Sequence, residues 1–200
     1  MTENNQNYFR NLDKPLFWNR QASSWFRNYV FGMCLGPGNM LPTDRVAVWS
    51  FLQENGFFND IEPILEGSTQ DLILDVASGA APTYIPQCFT QNLVAVDFSD
   101  KMLATNFARY KFCANMDALP FRYDSFSRIT SFFALRYTNS QVSIIKKFIN
   151  LCKPGGKVII VDYEWSKNPP HIEPFQPQEI IRNLGSDTLS KCRITSGEII

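Results

Sequence analysis

Histidine, paired cysteines and long apolar runs are scarce in this chain, and each scarcity excludes a class of protein. The 200 residues contain one histidine and five widely separated cysteines, with no Cys-x-x-Cys pair and no Cys/His cluster. Neither a metal site nor a disulfide framework is therefore predicted. The polar N-terminus lacks the apolar core of a signal peptide, and no apolar run approaches membrane-spanning length. We expect a soluble, cytoplasmic protein without a membrane span.

The chain also has no formal net charge. Nineteen basic and nineteen acidic residues give a formal net charge of zero. Because nucleic-acid binders attract phosphates with a basic excess, no nucleic-acid partner is expected. By contrast, 44% of the residues are hydrophobic and 14% are aromatic. This composition is sufficient for a packed core and for aromatic side chains that line a pocket.

The first 65 residues differ from the rest of the chain because aromatic side chains are crowded there. Phe17–Val30 and Pro42–Glu54 have the patterns of helices, and the sequence Gly36-Pro37-Gly38 separates them. We predict that residues 1–65 form a helical lid and that residues 66–200 form a second domain.

From residue 70 onward, short apolar runs alternate with helical patterns, which is typical of a parallel sheet with helices on both faces. The predicted fold class is α/β, with a doubly wound, mostly parallel sheet. The predicted strands are Leu72–Val76, Leu93–Val96, Lys111–Ala114, Ile129–Phe133, Val158–Val161 and Thr188–Ile194. The predicted helices of this part are Ala81–Phe89, Asp100–Tyr110, Ser140–Leu151 and Pro177–Leu184.

The loop after the first of these strands consists of very small residues between Asp75 and Ala81. A ligand approaches the main chain closely only where side chains are minimal, so this loop suits a nucleotide-like ligand. An ordinary tight turn between strand and helix is the alternative. A P-loop is excluded because no Gly-Lys-Ser/Thr follows.

Two further strand ends carry polar groups. Asp97 ends the next strand 22 residues after Asp75, where a carboxylate can accept hydrogen bonds from both ribose hydroxyls. Taken alone, such an Asp is as well explained as a helix cap. The loop Ala114–Phe121 follows the third strand and has groups that can read a purine edge, or else it is a surface turn fixed by Pro120.

Five landmarks in order resemble the class I S-adenosylmethionine-dependent methyltransferases, and among them the ubiquinone/menaquinone-biosynthesis type. These are the Asp75–Ala81 loop, Val96-Asp97-Phe98-Ser99-Asp100-Lys101-Met102-Leu103, Ala118-Leu119-Pro120-Phe121 with Asp124-Ser125-Phe126, Phe133-Ala134-Leu135-Arg136, and Leu151-Cys152-Lys153-Pro154-Gly155-Gly156. The resemblance implies a Rossmann-like fold whose closing antiparallel strands are abbreviated here. It also implies methyl transfer to a small, apolar or aromatic molecule.

The resemblance implies S-adenosylmethionine as cofactor and S-adenosylhomocysteine as product. By that resemblance the methionine end lies on the first loop, the ribose on Asp97, and adenine between the second and third strand ends, with the reactive methyl beside the fourth. The implied cofactor-binding residues are Asp75, Ala77, Ser78, Gly79, Asp97, Phe98, Met102, Asn115, Met116 and Phe133.

The resemblance places the acceptor between the lid and the ends of the last strands. The expected substrate-binding residues are Trp18, Trp25, Tyr29, Arg136 and Tyr137. A base is needed only if the acceptor must lose a proton. The candidates for that role are Tyr163, Glu164 and His171, although an exposed loop histidine is the ordinary interpretation of His171.

Three other functions stay open from the residues. Ala77 and Ala81 stand where the family has glycines, and Asn115 stands where it has an acid. These departures suit a non-catalytic S-adenosylmethionine-binding subunit that supports a partner, and a homodimer is the other assembly that stays open. A protein or RNA methyltransferase is less favoured, because no Asn-Pro-Pro-Tyr-type motif follows the fourth strand. An NAD-dependent dehydrogenase is less favoured still, because Gly-x-Gly-x-x-Gly is absent.

Overall fold

The described part of the chain forms a five-stranded parallel sheet, and helices follow several of its strands. The computed structural model describes residues 56, 59, 70–80, 92–138, 140–162 and 176–189. The strands are β1 Ile73–Val76, β2 Leu93–Asp97, β3 Tyr110–Cys113, β4 Phe126–Phe132 and β5 Cys152–Val161. The α-helices are α1 Asp100–Thr105, α2 Gln141–Leu151, α3 Pro177–Leu184 and α4 Ser186–Leu189, and 3-10 turns span Met116–Ala118 and Leu135–Tyr137.

The strand order is β3-β2-β1-β4-β5, and every pair of neighbours is parallel. The chain therefore leaves β1 in one direction to build β2 and β3, and then crosses to the other side for β4 and β5. In such sheets ligands bind at the carboxyl ends of the strands where the order reverses. Here that switch point lies between the ends of β1, β2 and β4. The predicted α/β, Rossmann-like, mostly parallel fold is confirmed.

The core explains why these runs became strands. β1 and β2 are buried along their whole length, as strands covered on both faces must be. Alternate residues of the strands face α2 and α3, where Phe148 is fully buried. The side chains of this shared cluster include Leu74, Val76, Val94, Val96, Ile129, Ile144, Phe148, Leu151, Ile180 and Leu184.

Two predicted elements were wrong at their ends. The helix predicted to reach Tyr110 ends at Thr105, because Asn106 leaves the helical conformation and Tyr110 begins β3. The strand predicted from Thr188 is wrong at its start. Residues 186–189 are helical, and the N–H of Thr188 donates to Gly185 O at 3.2 Å.

The Pro154-Gly155-Gly156 turn lies inside β5 as an irregularity of the ladder. The pairing passes from Phe126 with Cys152 directly to Arg128 with Lys157, so the intervening residues of β5 bulge out. Gly155 has φ +76°. A Cβ on Gly156 would come within 2.6 Å of Cys152 Sγ and 2.7 Å of Ser127 O. The two glycines therefore meet different demands, one of conformation and one of space.

The predicted lid of residues 1–65 and the predicted helix at Ala81–Phe89 lie outside the described residues, apart from the isolated residues 56 and 59. In the part of the chain that the structure describes, no helix combines the length and apolar character that crossing a membrane requires.

Candidate functional site: the carboxyl edge of the sheet

Asp97 stands at the end of β2 with both carboxylate oxygens hydrogen-bonded. Its Oδ2 accepts from the N–H of Gly79 at 2.9 Å, and its Oδ1 accepts from the N–H of Ser99 at 2.9 Å. The residue is only 6% exposed. Burial raises the pKa of Asp97 to about 6, against the opposing effect of the N–H donors from Ser99, Gly79 and Phe98. The predicted ribose acid is therefore joined directly to the predicted methionine-end loop.

The loop after β1 has the backbone of a ligand cradle. Ala77 has φ +57° and Gly79 has φ +65°. The N–H of Ser78 donates to Val96 O at 3.0 Å, which holds the loop against β2. Apart from its two chain neighbours, no heavy atom of the described residues lies within 4 Å of the position that a Cβ on Gly79 would occupy. Among the described residues, nothing beyond those neighbours therefore fills the Cβ side of this glycine.

Asp75 lies under the loop rather than in it. Its side chain is fully buried, and its Oδ1 accepts from the Thr130 hydroxyl at 2.7 Å. This bond links β1 to β4 across the switch point. The structure thus places the carboxylate of Asp75 in the sheet interior.

The predicted adenine loop is anchored to the same acid. The N–H of Ala114 donates to the backbone oxygen of Asp97 at 3.0 Å. Asn115 is exposed, and its Oδ1 accepts from the N–H of Asp117 at 3.1 Å, which caps the 3-10 turn that follows. The side chain of Met116 is partly buried against the core. The loop therefore begins within one peptide of Asp97.

Phe98 and Met102 flank this region from the start of α1. Phe98 is half-buried, and its carbonyl accepts from the Cys113 thiol at 3.6 Å. Met102 is buried, and its N–H donates to the Ser99 hydroxyl, the N-cap of α1, at 3.2 Å. Phe98 follows Asp97 directly in the chain, and Ser99, whose hydroxyl accepts from Met102, donates its own N–H to Asp97.

Phe133, the residue directly after β4, has a strained conformation. Its φ is +56°, which side chains rarely adopt, and its N–H donates to Val161 O at 2.7 Å. Ala77 has the same left-handed conformation at the end of the neighbouring strand β1. Strained backbone of this kind concentrates at binding and catalytic sites. Two such residues at adjacent strand ends point to the switch point as the site.

Arg136 was predicted to contact the acceptor, and the structure places it in an ion pair. Its Nη1 lies 2.8 Å from Asp162 Oδ1, and the two side chains are 6% and 0% exposed. Its Nη2 donates to the Tyr137 hydroxyl at 3.1 Å, and the guanidinium carbon lies 4.8 Å from the centre of that ring. The sequence offered one signal for Asp162, an acid after an apolar strand, like Asp75 and Asp97.

Asn106 is a second site residue that the motifs did not indicate. It is 3% exposed, and its side-chain amide reaches back to the loop at Ser78 and Gly79. A buried asparagine just after a predicted helix is weak evidence in a sequence, because asparagine is common at helix ends.

Six predicted residues lie outside the described part of the chain. They are the lid residues Trp18, Trp25 and Tyr29 and the candidate bases Tyr163, Glu164 and His171. Within the described residues, no group of three or more His, Cys, Asp or Glu side chains is arranged to hold a metal ion.

Comparison with known proteins identifies the domain. Residues 74–160 match the sequence model of a family described as a methyltransferase domain. The demethylmenaquinone methyltransferase of Renibacterium salmoninarum is 31% identical over 96 residues, which are 46% of this chain and 40% of that protein. Its counterpart from Mycobacterium tuberculosis H37Rv is 31% identical over 101 residues, 48% of this chain and 42% of that protein. The chain thus spans about 40% of the length of these curated relatives.

A solved structure shows the same fold. An S-adenosylmethionine-dependent methyltransferase from Aquifex aeolicus superposes with a TM-score of 0.51 at 16% identity, over 64% of this chain and 77% of that chain. The family match, the relatives and the strand order agree with one another. Over residues 74–160 this chain is therefore similar to the class I S-adenosylmethionine-dependent methyltransferases.

Proposed function

We propose that this chain binds S-adenosylmethionine at the carboxyl edge of β1, β2 and β3 and directs its methyl group to a small, apolar or aromatic acceptor. The observation that carries the proposal is the hydrogen bond between Asp97 Oδ2 and the N–H of Gly79. It brings a buried acid and an open glycine loop together at the switch point of the sheet, where nucleotide-like ligands bind.

The residues present fit the cofactor. A carboxylate has about four lone-pair sites, so Asp97 retains acceptor capacity for ribose hydroxyls beside its backbone partners. Gly79 has no side chain, so its backbone suits a group that lies against the main chain. The exposed Asn115, one residue after the Ala114 anchor, supplies amide groups for the adenine edge.

The bound sulfonium cofactor supplies an already activated methyl group, so the protein's own task is to orient the reactants and exclude water. In this proposal, Phe133 lies beside the methyl group, and its strained backbone fixes the end of β4. The ion pair between Arg136 and Asp162 then holds the next turn in place, with Tyr137 stacked on the guanidinium.

The acceptor side depends on residues outside the described part of the chain. We propose that Trp18, Trp25 and Tyr29 form an apolar wall over the acceptor. The curated relatives are named for methylation of demethylmenaquinone, and an aromatic wall suits an apolar ring of that kind. Tyr163, Glu164 and His171 are the proposed groups for removal of a proton, where the acceptor carries one.

Cofactor binding is tested by calorimetric titration of the purified chain with S-adenosylhomocysteine. We expect saturable binding, and Asp97→Asn should weaken it at least about tenfold, because hydrogen bonds to a charged acceptor become bonds to a neutral one. Asp100→Asn, which removes an exposed carboxylate at the start of α1, is the matched control and should bind like wild type. A wild-type Kd weaker than millimolar would overturn the proposal.

Methyl transfer is tested separately with S-adenosylmethionine labelled in the methyl group and a demethylated naphthoquinol with a short prenyl chain as acceptor. We expect labelled product and S-adenosylhomocysteine to form together and only when the acceptor is present. Tight cofactor binding without transfer to this or related ring acceptors would instead support the non-catalytic subunit.

A further inference from the structure

We propose that Asn106 is a positioning residue that holds the cofactor loop, residues 77–80, in the shape that receives the methionine end of the cofactor. The inference rests on the proposed function. No motif indicates this residue, because it lies in the segment between α1 and β3, outside the five landmarks.

The first step is the departure of the chain from α1. The backbone N–H of Asn106 donates to Leu103 O at 3.1 Å, and the residue itself is extended, with φ −70° and ψ 143°. The side chain then points back to the sheet and is 3% exposed. Its Oδ1 accepts from the N–H of Ala108 at 2.9 Å, which fixes the orientation of the amide.

The second step is the use of the amide donors. Nδ2 donates to Ser78 Oγ at 2.9 Å and to Gly79 O at 2.9 Å. An asparagine amide has two donor hydrogens, so both are committed to the cofactor loop. An aspartate of the same shape has no donor and places negative charge against the Gly79 carbonyl, and alanine leaves these loop groups without their partner.

The third step is that Gly79 is held from both ends. Asp97 Oδ2 accepts from its N–H at 2.9 Å, while Asn106 donates to its carbonyl at the same distance. The next carbonyl, that of Ala80, lies 3.2 Å from the Thr105 hydroxyl, which shares its single hydrogen between this oxygen and Met102 O at 3.1 Å. Side chains at the end of α1 and at the end of β2 thus hold the cofactor loop by hydrogen bonds from both sides.

The hydrogen bonds from Thr105 and Asn106 stabilise a loop whose backbone is strained. Ala77 has a left-handed conformation, so the loop carries a strain that a glycine at this position would avoid. A loop under such strain persists only where its surroundings determine its shape. Asn106 and Thr105 supply that determination, and neither side chain comes within 4 Å of the position that a Cβ on Gly79 would occupy.

The proposal predicts a selective defect in binding. S-adenosylhomocysteine contains the amino-acid end that the cofactor loop receives, and adenosine lacks it. Asn106→Ala and Asn106→Asp should therefore weaken S-adenosylhomocysteine about tenfold or more and leave the Kd of adenosine within about twofold of wild type. Asp97→Asn should weaken both ligands, because both carry the ribose hydroxyls.

The experiment is calorimetry with both ligands, combined with amide hydrogen exchange of the free protein at Gly79. We expect faster exchange at that amide in the Asn106 variants, with no change at the core strand β2. Asn183→Asp, on the exposed side of α3, is the matched control. Equal losses for both ligands, or unchanged values for both, would overturn the proposal.

A second pair of variants keeps the test decisive if the Asn106 variants do not fold. Thr105→Val removes the hydroxyl that binds Ala80 O, and Thr105→Ser keeps it. We expect the valine variant to lose S-adenosylhomocysteine affinity selectively and the serine variant to restore it. Equal binding by the two variants would contradict the proposal that these hydrogen bonds hold the cofactor loop in its binding shape. If wild type binds neither ligand, the proposed function fails, while the exchange rate at Gly79 still decides whether Thr105 and Asn106 hold the loop.

Discussion

Asp162 accepts two hydrogen bonds from Arg136, one from the guanidinium Nη1 at 2.8 Å and one from the backbone N–H at 3.2 Å. The pair joins the turn after β4 to the end of β5, and both side chains are almost completely removed from solvent. A buried ion pair costs desolvation, and its partners depend on each other far more than those of a surface pair.

Removal of one partner should therefore lower the free energy of unfolding strongly. We expect Asp162→Ala to lower the free energy of unfolding by about 3–5 kcal/mol, because it leaves a buried guanidinium without its carboxylate. The measurement is urea unfolding followed by circular dichroism. Glu179→Gln, on the exposed face of α3, is the control and should change the free energy by less than about 0.5 kcal/mol.

The double variant Arg136→Met with Asp162→Leu separates charge from packing. It should be more stable than Asp162→Ala alone, since no charge remains buried. A single variant that costs less than about 1 kcal/mol would show that the pair contributes no more than an exposed one.

Cofactor binding should depend on pH through Asp97. Because burial raises the pKa of this carboxyl to about 6, the free protein holds a proton there at mildly acidic pH. Ribose hydroxyls donate to the ionised form, so binding expels the proton and tightens as pH rises through this range.

We expect the Kd of S-adenosylhomocysteine to be about tenfold weaker at about pH 5 than at about pH 7.5, since only about a tenth of the carboxyl is ionised at the lower value. Calorimetry at both values makes the measurement. Asp97→Asn should show a flat profile, and Asp100→Asn should keep the wild-type slope. A wild-type profile without slope would mean that the cofactor does not need the ionised acid.

The left-handed Ala77 predicts a stabilising substitution. Ala77→Gly removes steric strain worth about 1–2 kcal/mol, partly offset by the larger entropy of an unfolded glycine. We expect a net gain of up to about 1 kcal/mol in the free energy of unfolding. Ala104→Gly, at an exposed position of α1, is the opposite control and should cost about 1 kcal/mol. Equal losses in both variants would show that Ala77 carries no strain.

Two adjacent glycines of β5 predict different costs on substitution by alanine. Gly156→Ala should destabilise by about 3 kcal/mol, because its Cβ meets a backbone oxygen and a buried sulfur that have little room to move. Gly155→Ala meets no described atom within 4 Å and should cost only about 1–2 kcal/mol from its positive φ. Thermal unfolding of both variants under one condition gives the order, and the reverse order would contradict the packing seen at Gly156.

The strands β1 and β2 were predictable because each is a short apolar run that is buried along its whole length, and the predicted Leu93–Val96 lies inside β2. The end of α1 could not be predicted from the sequence, because Phe107 and Tyr110 continue an apolar pattern beyond it. The helix ends at Asn106, whose side chain contacts Ser78 and Gly79. Those contacts span more than twenty residues, and local propensity has no access to them.

Some features of the candidate site could likewise be predicted from the sequence, and others could not. The acid at the end of β2 was predictable from its place after an apolar run, and its spacing from the first loop indicated a nucleotide-like ligand. The ion pair of Arg136 could not be predicted from the sequence, because it depends on the pairing of β4 with β5, which brings Asp162 beside the turn.

The position of β1 in the centre of the sheet has a consequence for synthesis on the ribosome. Ile73 pairs with Leu93 of β2 on one side and with Arg128 of β4 on the other. At translation rates of about 5–20 residues per second, β4 follows β1 by roughly 3–10 s. During that interval the apolar residues of β1 and the carboxylate of Asp75, which later accepts from Thr130, face an unfilled edge. The nascent chain therefore has a period of several seconds in which a chaperone, or a second nascent chain, has access to the edge of β1 that β4 later occupies.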